Sequence, residues 1–297
     1  MQVKTISEQL FFTTVRIDTL SPTGQPGAGT GFFFQHKIGD DQYPFIVTNK
    51  HVVMGMEQGK LSFLKEKDGA PALGDGYPAT MDPTDWTNLW FGHPDASIDI
   101  AICPLAPILQ HAKQVLGFDL FYRCVDSKTI PTPEQLAELD AVEPITFVGY
   151  PNGVWDSKNL LPVARRGTTA TPIEVDFERT PRFLIDASVF GGSSGSPVFV
   201  LNHGSWTRKD GKGMQLGSRF FFVGVVAAVF YRTGLGKIIA VPIPTQVQPM
   251  AEQREMIDLG IVFKARTVLE AVEAYLVSYN IDINQPPSPS PDSLPTP

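Results

Sequence analysis

Short segments rich in β-branched and aromatic residues recur along most of the chain, and turn-forming residues separate them. In the first half, this pattern predicts strands at residues 10–18, 31–35, 45–48, 61–64 and 97–104. Short strands that follow one another at roughly 8–12-residue spacing are typical of an all-β barrel or sandwich. The chain is therefore predicted to fold mostly as β-structure.

The rest of the chain continues this pattern and adds helical segments. Strands are predicted at residues 144–149, 163–170, 182–189, 198–201, 219–228 and 237–241. Helices are predicted at residues 104–117, 132–139, 245–259 and 265–278. Residues 66–95 are rich in Gly, Pro, Asp and Trp, so we expect a long surface insertion there, with at most one strand at residues 88–92.

Composition excludes several classes of partner. The 297 residues suffice for one large or two medium domains, and a net charge of −7 disfavours nucleic acid or an anionic membrane as the main partner. The two cysteines, Cys103 and Cys124, lack C-x-x-C spacing, so no zinc site is predicted. No other metal and no cofactor is expected.

The sequence predicts neither a signal peptide nor a membrane-spanning segment. The first residues lack the apolar stretch of a signal peptide, and the longest apolar run, residues 220–230, is too short to span a bilayer. We therefore expect a cytoplasmic protein with reduced thiols. Residues 285–297 are rich in Pro and Ser, which predicts disorder or a linker.

The stretch Val189-Phe-Gly-Gly-Ser-Ser-Gly-Ser-Pro-Val-Phe199 places a Gly/Ser turn between two strand-like segments. Glycine permits positive φ and close approach, so such a turn can lift a serine out of the chain with backbone N–H groups around it. Acyl transfer needs that arrangement of a nucleophilic hydroxyl and oxyanion donors. A hairpin turn without chemistry is the alternative.

A serine nucleophile needs a base, and the base needs an orienting group. His51 follows the apolar run at residues 45–48, and Asp99 lies between two isoleucines, where a carboxylate needs a partner. His93 and Asp95 are rival candidates for the acid–base roles, although neither lies in a motif. Together the chain offers His, Asp and Ser in that order.

Four segments resemble those of a trypsin-like serine peptidase of the chymotrypsin fold, in its bacterial HtrA-like branch. They are Gly29-Thr-Gly-Phe-Phe-Phe34, Val47-Thr-Asn-Lys-His-Val-Val53, Asp99-Ile-Ala-Ile102 and Ile185-Asp-Ala-Ser-Val-Phe-Gly-Gly-Ser-Ser-Gly-Ser-Pro197. Val148-Gly-Tyr-Pro151 and Ala240-Val-Pro-Ile243 match two further landmarks. The resemblance spans roughly residues 9–245. Each motif is loose, but the ordered set is specific.

The resemblance implies two six-stranded antiparallel β-barrels with the active site in the cleft between them, plus C-terminal helices. It divides the chain as follows: an N-terminal barrel at 1–105, a linker with short helices at 106–140, a C-terminal barrel at 141–245, a helical segment at 246–280 and a Pro/Ser-rich tail at 281–297. Too few residues follow the barrels for a C-terminal PDZ domain.

The resemblance also implies the roles in the site. Ser194 is the expected nucleophile, His51 its base and Asp99 the group that orients His51. The backbone N–H groups of Gly192 and Ser194 are the expected oxyanion-hole donors. Ser193 and Ser196 are nearby alternatives to Ser194, and Ser196 stands where the family usually has Gly.

The position before Ser194 carries a further expectation. Digestive trypsin-like zymogens have Asp there, paired with a freed N-terminal amine, whereas this chain has Ser193. Activation by cleavage at the N-terminus is therefore not expected. Arg165 and Arg166 are expected to lie solvated in a turn near the cleft.

Specificity is also inferred from the resemblance. Ser188 is expected at the base of the pocket for the residue preceding the cut, and Val226, Ala227, Ala228 and Val229 along its wall. No carboxylate occupies these positions, which disfavours cleavage after Arg or Lys and favours small or medium apolar residues. The same strand is expected to pair with an extended peptide.

The sequence thus predicts a serine endopeptidase that acts on peptides or proteins through an acyl-enzyme. Two alternatives stay open. The first is a protein-binding module on a catalytically silent peptidase fold, and the second is a hydrolase switched on by a partner in a stress or defence system. An esterase is a weaker option. The C-terminal helices are expected to pack on the second barrel, or else to dock an activating partner or a second copy.

Overall fold

The computed structural model describes residues 2–151, 154–237 and 250–285. The N-terminal half contains nine strands: β1 (Thr14–Leu20), β2 (Pro26–Ile38), β3 (Asp41–Thr48), β4 (Gln58–Lys67), β5 (Ala70–Met81), β6 (Phe91–Gly92), β7 (Ala101–Pro104), β8 (Leu120–Phe121) and β9 (Val125–Asp126). They form one sheet with the order β5-β4-β1-β2-β3-β7-β6, to which β8 adds on β4 and β9 on β2.

The C-terminal half is a closed barrel of six strands. These are β10 (Pro144–Gly149), β11 (Val163–Thr169), β12 (Arg182–Asp186), β13 (Pro197–Asn202), β16 (Arg219–Lys237) and β17 (Met250–Lys264), in the order β10-β11-β12-β17-β16-β13. Between β13 and β16, β14 (Ser205–Thr207) and β15 (Met214–Leu216) form a separate hairpin. The mostly β class and the C-terminal barrel are confirmed, whereas a six-stranded N-terminal barrel stays a prediction.

Six helices connect or flank the strands in the described residues. They are α1 (Ile6–Leu10), α2 (Lys50–Val53), α3 (Pro83–Leu89), α4 (Ala106–Gln114), α5 (Pro133–Ala137) and α6 (Arg266–Ser278). Two of them follow the sequence signals closely. Thr132 caps α5 through a capping box with Gln135, ahead of a proline in the first turn, and α4 occupies the segment with helical spacing.

Two expectations about secondary structure are wrong. The insertion at 66–95 contains the 12-residue strand β5, which tolerates Gly and Pro because it lies at the end of the sheet order. The helix expected at 245–259 is instead strand from Met250 onward, because this segment pairs with β16 and, from Leu259, also with β12, which closes the barrel. Within 246–280, the described residues are helical only in α6, and β17 carries the barrel to Lys264. The strand expected at 237–241 and the tail fall mostly outside the described residues.

A shared aromatic core joins the two halves. Phe32 of β2 and Phe222 of β16 are fully buried, and their ring centroids lie 5.2 Å apart. Phe34 and Phe199 extend the same cluster from either half. Burial of such large side chains contributes about 1.5–3 kcal/mol each. This core therefore holds β2 against the second half, where Thr30 of β2 contacts the turn that precedes β13 and the candidate site lies.

The last helix packs within the chain. The apolar face of α6, which includes Val268, Val272 and Leu276, is buried in the shared core. Tyr275 contacts Phe45 and Phe91 of the N-terminal half, with ring centroids 5.4 and 5.5 Å apart. The helix thus covers both halves rather than the second barrel alone, and a role in binding a partner stays a prediction.

Candidate active site

The Gly/Ser turn between β12 and β13 rests against β2. Thr30 donates its backbone N–H to Ser194 O at 2.9 Å and its hydroxyl to Gly192 O at 2.9 Å. Gly192 and Gly195 have φ values of +82° and +87°. A Cβ on Gly195 would lie 1.9 Å from Thr30 O, so only glycine fits. The turn is therefore fixed by the Gly-Thr-Gly segment, a role for Thr30 that the motif alone did not reveal.

The backbone N–H groups of the turn fall into two sets. Those of Ser193, Gly195 and Ser196 donate to carbonyl oxygens at 2.8–3.0 Å. Those of Gly192 and Ser194 donate to no acceptor in the described part of the chain. The two free N–H groups belong to the residues on either side of the buried Ser193. Together they can attract a negatively charged oxygen.

His51 and Asp99 lie in direct contact. Oδ2 of Asp99 is 2.5 Å from Nδ1 of His51, and Oδ1 accepts the backbone N–H of His51 at 3.0 Å. Asn49, at the start of α2, donates its side-chain amide to Asp99 O at 2.7 Å. The carboxylate thus holds both the ring and the backbone of His51, while 49% of the His51 side chain stays exposed.

The hydroxyl of Ser194 donates to Ala227 O at 3.3 Å. Among the described contacts no hydrogen bond joins Ser194 to His51. Hydrogen bonds between catalytic groups are often long in a free enzyme and shorten when substrate binds. In this structure the Ser194 hydroxyl is therefore bonded to a backbone carbonyl oxygen.

The rival residues are held in structural contacts. Ser193 is fully buried, and its Oγ accepts hydrogen bonds from Arg165 and from Phe190 N–H. Ser196 is also fully buried, and its Oγ has no partner among the described residues. Neither hydroxyl can reach a substrate without moving the turn.

The rival acid–base pair is separate from the turn. Nδ1 of His93 accepts the backbone N–H of Asp95 at 3.0 Å, and Nε2 lies 3.3 Å from Glu270 on α6. Asp95 accepts hydrogen bonds from Ser97, which lower the pKa of its carboxyl group. Both rivals stabilise the loop before Asp99.

The expected substrate strand borders Ser194. Ala227 is skipped in the pairing of β16 with β17, between Val226 and Ala228, and this bulge turns its carbonyl group towards Ser194. Val226 is fully buried in the barrel core, whereas Ala228 is exposed and Val229 half-buried. Ser188 is exposed, and its carbonyl oxygen accepts a hydrogen bond from Arg165.

Arg165 differs from its expected position in a solvated turn. It lies in β11, where its side chain points into the barrel and its neighbour Arg166 is exposed. Successive side chains of a strand face opposite sides, which separates the two arginines. Burial lowers the pKa of Arg165 to about 10.

Two further properties concern metals and membranes. In residues 2–151, 154–237 and 250–285, no group of three or more His, Cys, Asp or Glu side chains is placed to hold a metal ion. Over the same ranges, no helix combines the length and apolar character needed to cross a bilayer.

Comparison with known proteins gives the family. Residues 29–206 match the trypsin-like peptidase domain. The chain belongs to this family. It is accordingly a hydrolase of the serine endopeptidase class, and its family implies peptide or protein substrates. No curated protein sequence matches the chain.

Solved structures of proteases resemble this member of the family only distantly. The active form of the Rv3671c protease from M. tuberculosis is 18% identical over 94% of this chain and 85% of its own, with a TM-score of 0.40. A serine endoprotease from Yersinia pestis is 15% identical over 94% and 69%, with a TM-score of 0.44. An inactivated protease paralogue from the scabies mite is 13% identical over 90% and 95%, with a TM-score of 0.45.

Proposed function

We propose that this peptidase cleaves peptide bonds with Ser194 as nucleophile, His51 as general base and acid, and Asp99 as the orienting carboxylate. The observation that carries the proposal is the pair of free N–H groups on Gly192 and Ser194. Both residues are half-buried, so their N–H groups are accessible, and two accessible backbone donors beside a serine hydroxyl can bind the oxygen of a reacting carbonyl group.

The reaction follows from these contacts. Oγ of Ser194 attacks the scissile carbonyl carbon while Nε2 of His51 takes its proton, and the carbonyl oxygen becomes an oxyanion that accepts the N–H groups of Gly192 and Ser194. The C–N bond then breaks, and His51 gives its proton to the leaving amine. Water then attacks the acyl-enzyme ester while His51 takes its proton. The ester bond breaks, and His51 returns the proton to Ser194 Oγ, which regenerates the hydroxyl. Asp99 stays ionised and stabilises the His51 imidazolium through Nδ1–H.

The substrate is proposed to be an extended peptide with a small or medium apolar residue before the cut. The bulge at Ala227 leaves β16 able to pair with an added strand beside Ser194. Arg165 donates to the carbonyl oxygen of Ser188 at the expected base of the pocket. The guanidinium group of Arg165 would repel a cationic substrate side chain in this pocket, which supports the exclusion of Arg and Lys at the position before the cut.

One observation favours a partner-activated enzyme as the second candidate. The Ser194 hydroxyl is engaged by Ala227 O rather than by His51, so the resting site lacks the activated serine. In this candidate, binding of a substrate or partner moves the hydroxyl to His51. It predicts low basal turnover that a partner raises.

Labelling with a fluorophosphonate probe tests the proposal. We expect a covalent adduct on Ser194, located by mass spectrometry, that disappears in Ser194→Ala and His51→Ala. His203→Ala and Ser205→Ala, which change the same residue types near the exposed β14–β15 hairpin, serve as matched controls and should label normally. A folded native protein that acquires no adduct, even with peptide substrate present, would contradict the proposed site. A peptide library then reads out the residue before the cut.

A further inference from the structure

The side chain of Arg165 connects the barrel core to the Gly/Ser turn. Its Cζ lies 4.4 Å from the ring centroid of Phe147, the residue opposite it on β10. Its Nη1 donates to Ser188 O at 2.8 Å, and its Nη2 donates to Ser193 Oγ at 2.8 Å. One planar guanidinium group therefore holds two points of the segment that leads to Ser194.

These two points lie before the turn and within it. Ser193 N–H donates to Phe190 O at 3.0 Å, and Phe190 N–H donates back to Ser193 Oγ at 3.3 Å. Ser193 Oγ is thus shared by Phe190 and Arg165, and it lies one residue before the proposed nucleophile. Loss of the guanidinium would release both Ser188 and Ser193 at once.

Arg165 is a costly residue in this position. It is half-buried, no acidic side chain within the described residues pairs with it, and its Nε is buried without a hydrogen-bond partner. A partly buried charge without a counter-charge normally destabilises a fold, so its presence needs a compensating reason. Hydrogen bonds from a charged donor to neutral oxygens are stronger than neutral ones, and the fork of the guanidinium fixes their directions.

We propose that Arg165 is a positioning residue for catalysis, which holds the turn so that the N–H groups of Gly192 and Ser194 stay free for the oxyanion. This inference rests on the proposed function of the turn. Among the described contacts, Arg165 bonds to neither Ser194 nor His51, and it acts through Ser188 and Ser193.

The arrangement also explains how the turn forms without N-terminal cleavage. In digestive zymogens, the residue before the nucleophile is a carboxylate that must wait for a freed amine. Here the neutral Ser193 accepts from a cation that is already built into β11. Folding of the barrel against β2, which supplies Thr30, therefore assembles the turn.

The test uses Arg165→Met, which keeps a flexible side chain against Phe147 and removes the donors. Loss of one oxyanion donor typically costs about 10²–10³ in rate, so we expect kcat to fall about 10²-fold while KM changes less than about threefold. The affinity for a peptide aldehyde, which forms an oxyanion in the site, should fall in parallel. Arg165→Lys should retain part of the activity. Arg165→Ala should lose it, and added ethylguanidinium should restore part of it. The matched control is Arg166→Met, which should behave as the native protein.

Two additional measurements separate this inference from the proposed function. Ser193→Ala removes only the hydroxyl acceptor and should lower kcat about tenfold; it also serves if Arg165→Met fails to fold. Amide hydrogen exchange at Ser193, Gly195 and Ser196 should accelerate in the Arg165 variants but not in Arg166→Met, whether or not the native protein cleaves peptides. Native exchange rates in a folded Arg165→Met would overturn the inference. Native kcat in Arg165→Met or in Ser193→Ala would also overturn it. An inactive native protein whose turn still depends on Arg165 would contradict the proposed function alone.

Discussion

Replacement of Asp99 by asparagine tests the proposed pairing most directly, because it preserves shape and changes only hydrogen-bonding capacity. Oδ1 of Asp99 accepts the backbone N–H of His51, and Oδ2 contacts Nδ1 of the ring. In Asp99→Asn, the amide oxygen must stay on the backbone N–H to keep that bond. The NH₂ group then faces Nδ1 of His51.

The consequence is a change of tautomer. The asparagine NH₂ group can only donate, so Nδ1 of His51 must accept and Nε2 must carry the ring proton. A protonated Nε2 cannot take the proton of Ser194. The same exchange in the serine–histidine–aspartate template lowers kcat by about 10⁴, and we expect that magnitude here. It corresponds to about 5.4 kcal/mol in the activation barrier.

The assay is peptide hydrolysis at neutral pH, with kcat normalised to folded enzyme by circular dichroism. KM should change little, because Asp99 lies behind His51 and away from the substrate strand. Asp95→Asn is the matched control: Asp95 is an exposed carboxylate four residues earlier, and its loss should change kcat by no more than about twofold. A folded Asp99→Asn that keeps more than a tenth of native kcat would refute the reasoning.

Three other substitutions test the turn, the core and acid stability. Gly195→Ala should lower kcat at least about 10²-fold in a folded protein, because the added Cβ would lie 1.9 Å from a backbone oxygen of β2; peptide hydrolysis checks it. Trp86→Ala removes a fully buried ring and should lower the free energy of unfolding by about 3–5 kcal/mol in urea titrations. Burial opposes ionisation of Asp18, but Arg16 and Lys60 outweigh it and lower the pKa of the Asp18 carboxyl. The unfolded chain therefore binds more protons, so this stabilisation is complete above about pH 4 and is lost as pH falls through the folded pKa. Asp18→Asn should flatten the fall of Tm below pH 4. A fall of Tm as steep as in the native protein would contradict this.

The position of α6 bears on how the two halves stay aligned. Its buried face contacts the shared core, and Glu270 on its surface reaches His93 in the loop that leads to Asp99. Arg266 at its start pairs with Asp176, which also pairs with Lys264 at the end of β17. The helix therefore joins the loop before the proposed orienting carboxylate to the barrel that carries the proposed nucleophile.

Errors of the sequence analysis fall where tertiary pairing overrides local preference. Residues 250–259 have a composition that suits a helix, yet they form β17 because β16 offers a hydrogen-bonding edge along this stretch and β12 adds a second edge from Leu259 onward. Residues 70–81 contain Gly and Pro that predict a loop, yet they add to the end of the first sheet as β5. Both segments gain backbone partners that no local pattern reveals.

The sequence by itself determined the β-rich class, the Gly/Ser turn, and the His51, Asp99 and Ser194 candidates, because each depends on a short motif or on the alternation of neighbouring residues. Only the tertiary structure decided that Thr30 supports the turn and that Arg165, rather than Arg166, faces it. Contacts between residues so distant in the chain depend on strand register and barrel closure. A shift of one residue in β11 would exchange the two arginines, and that register is set by the whole barrel.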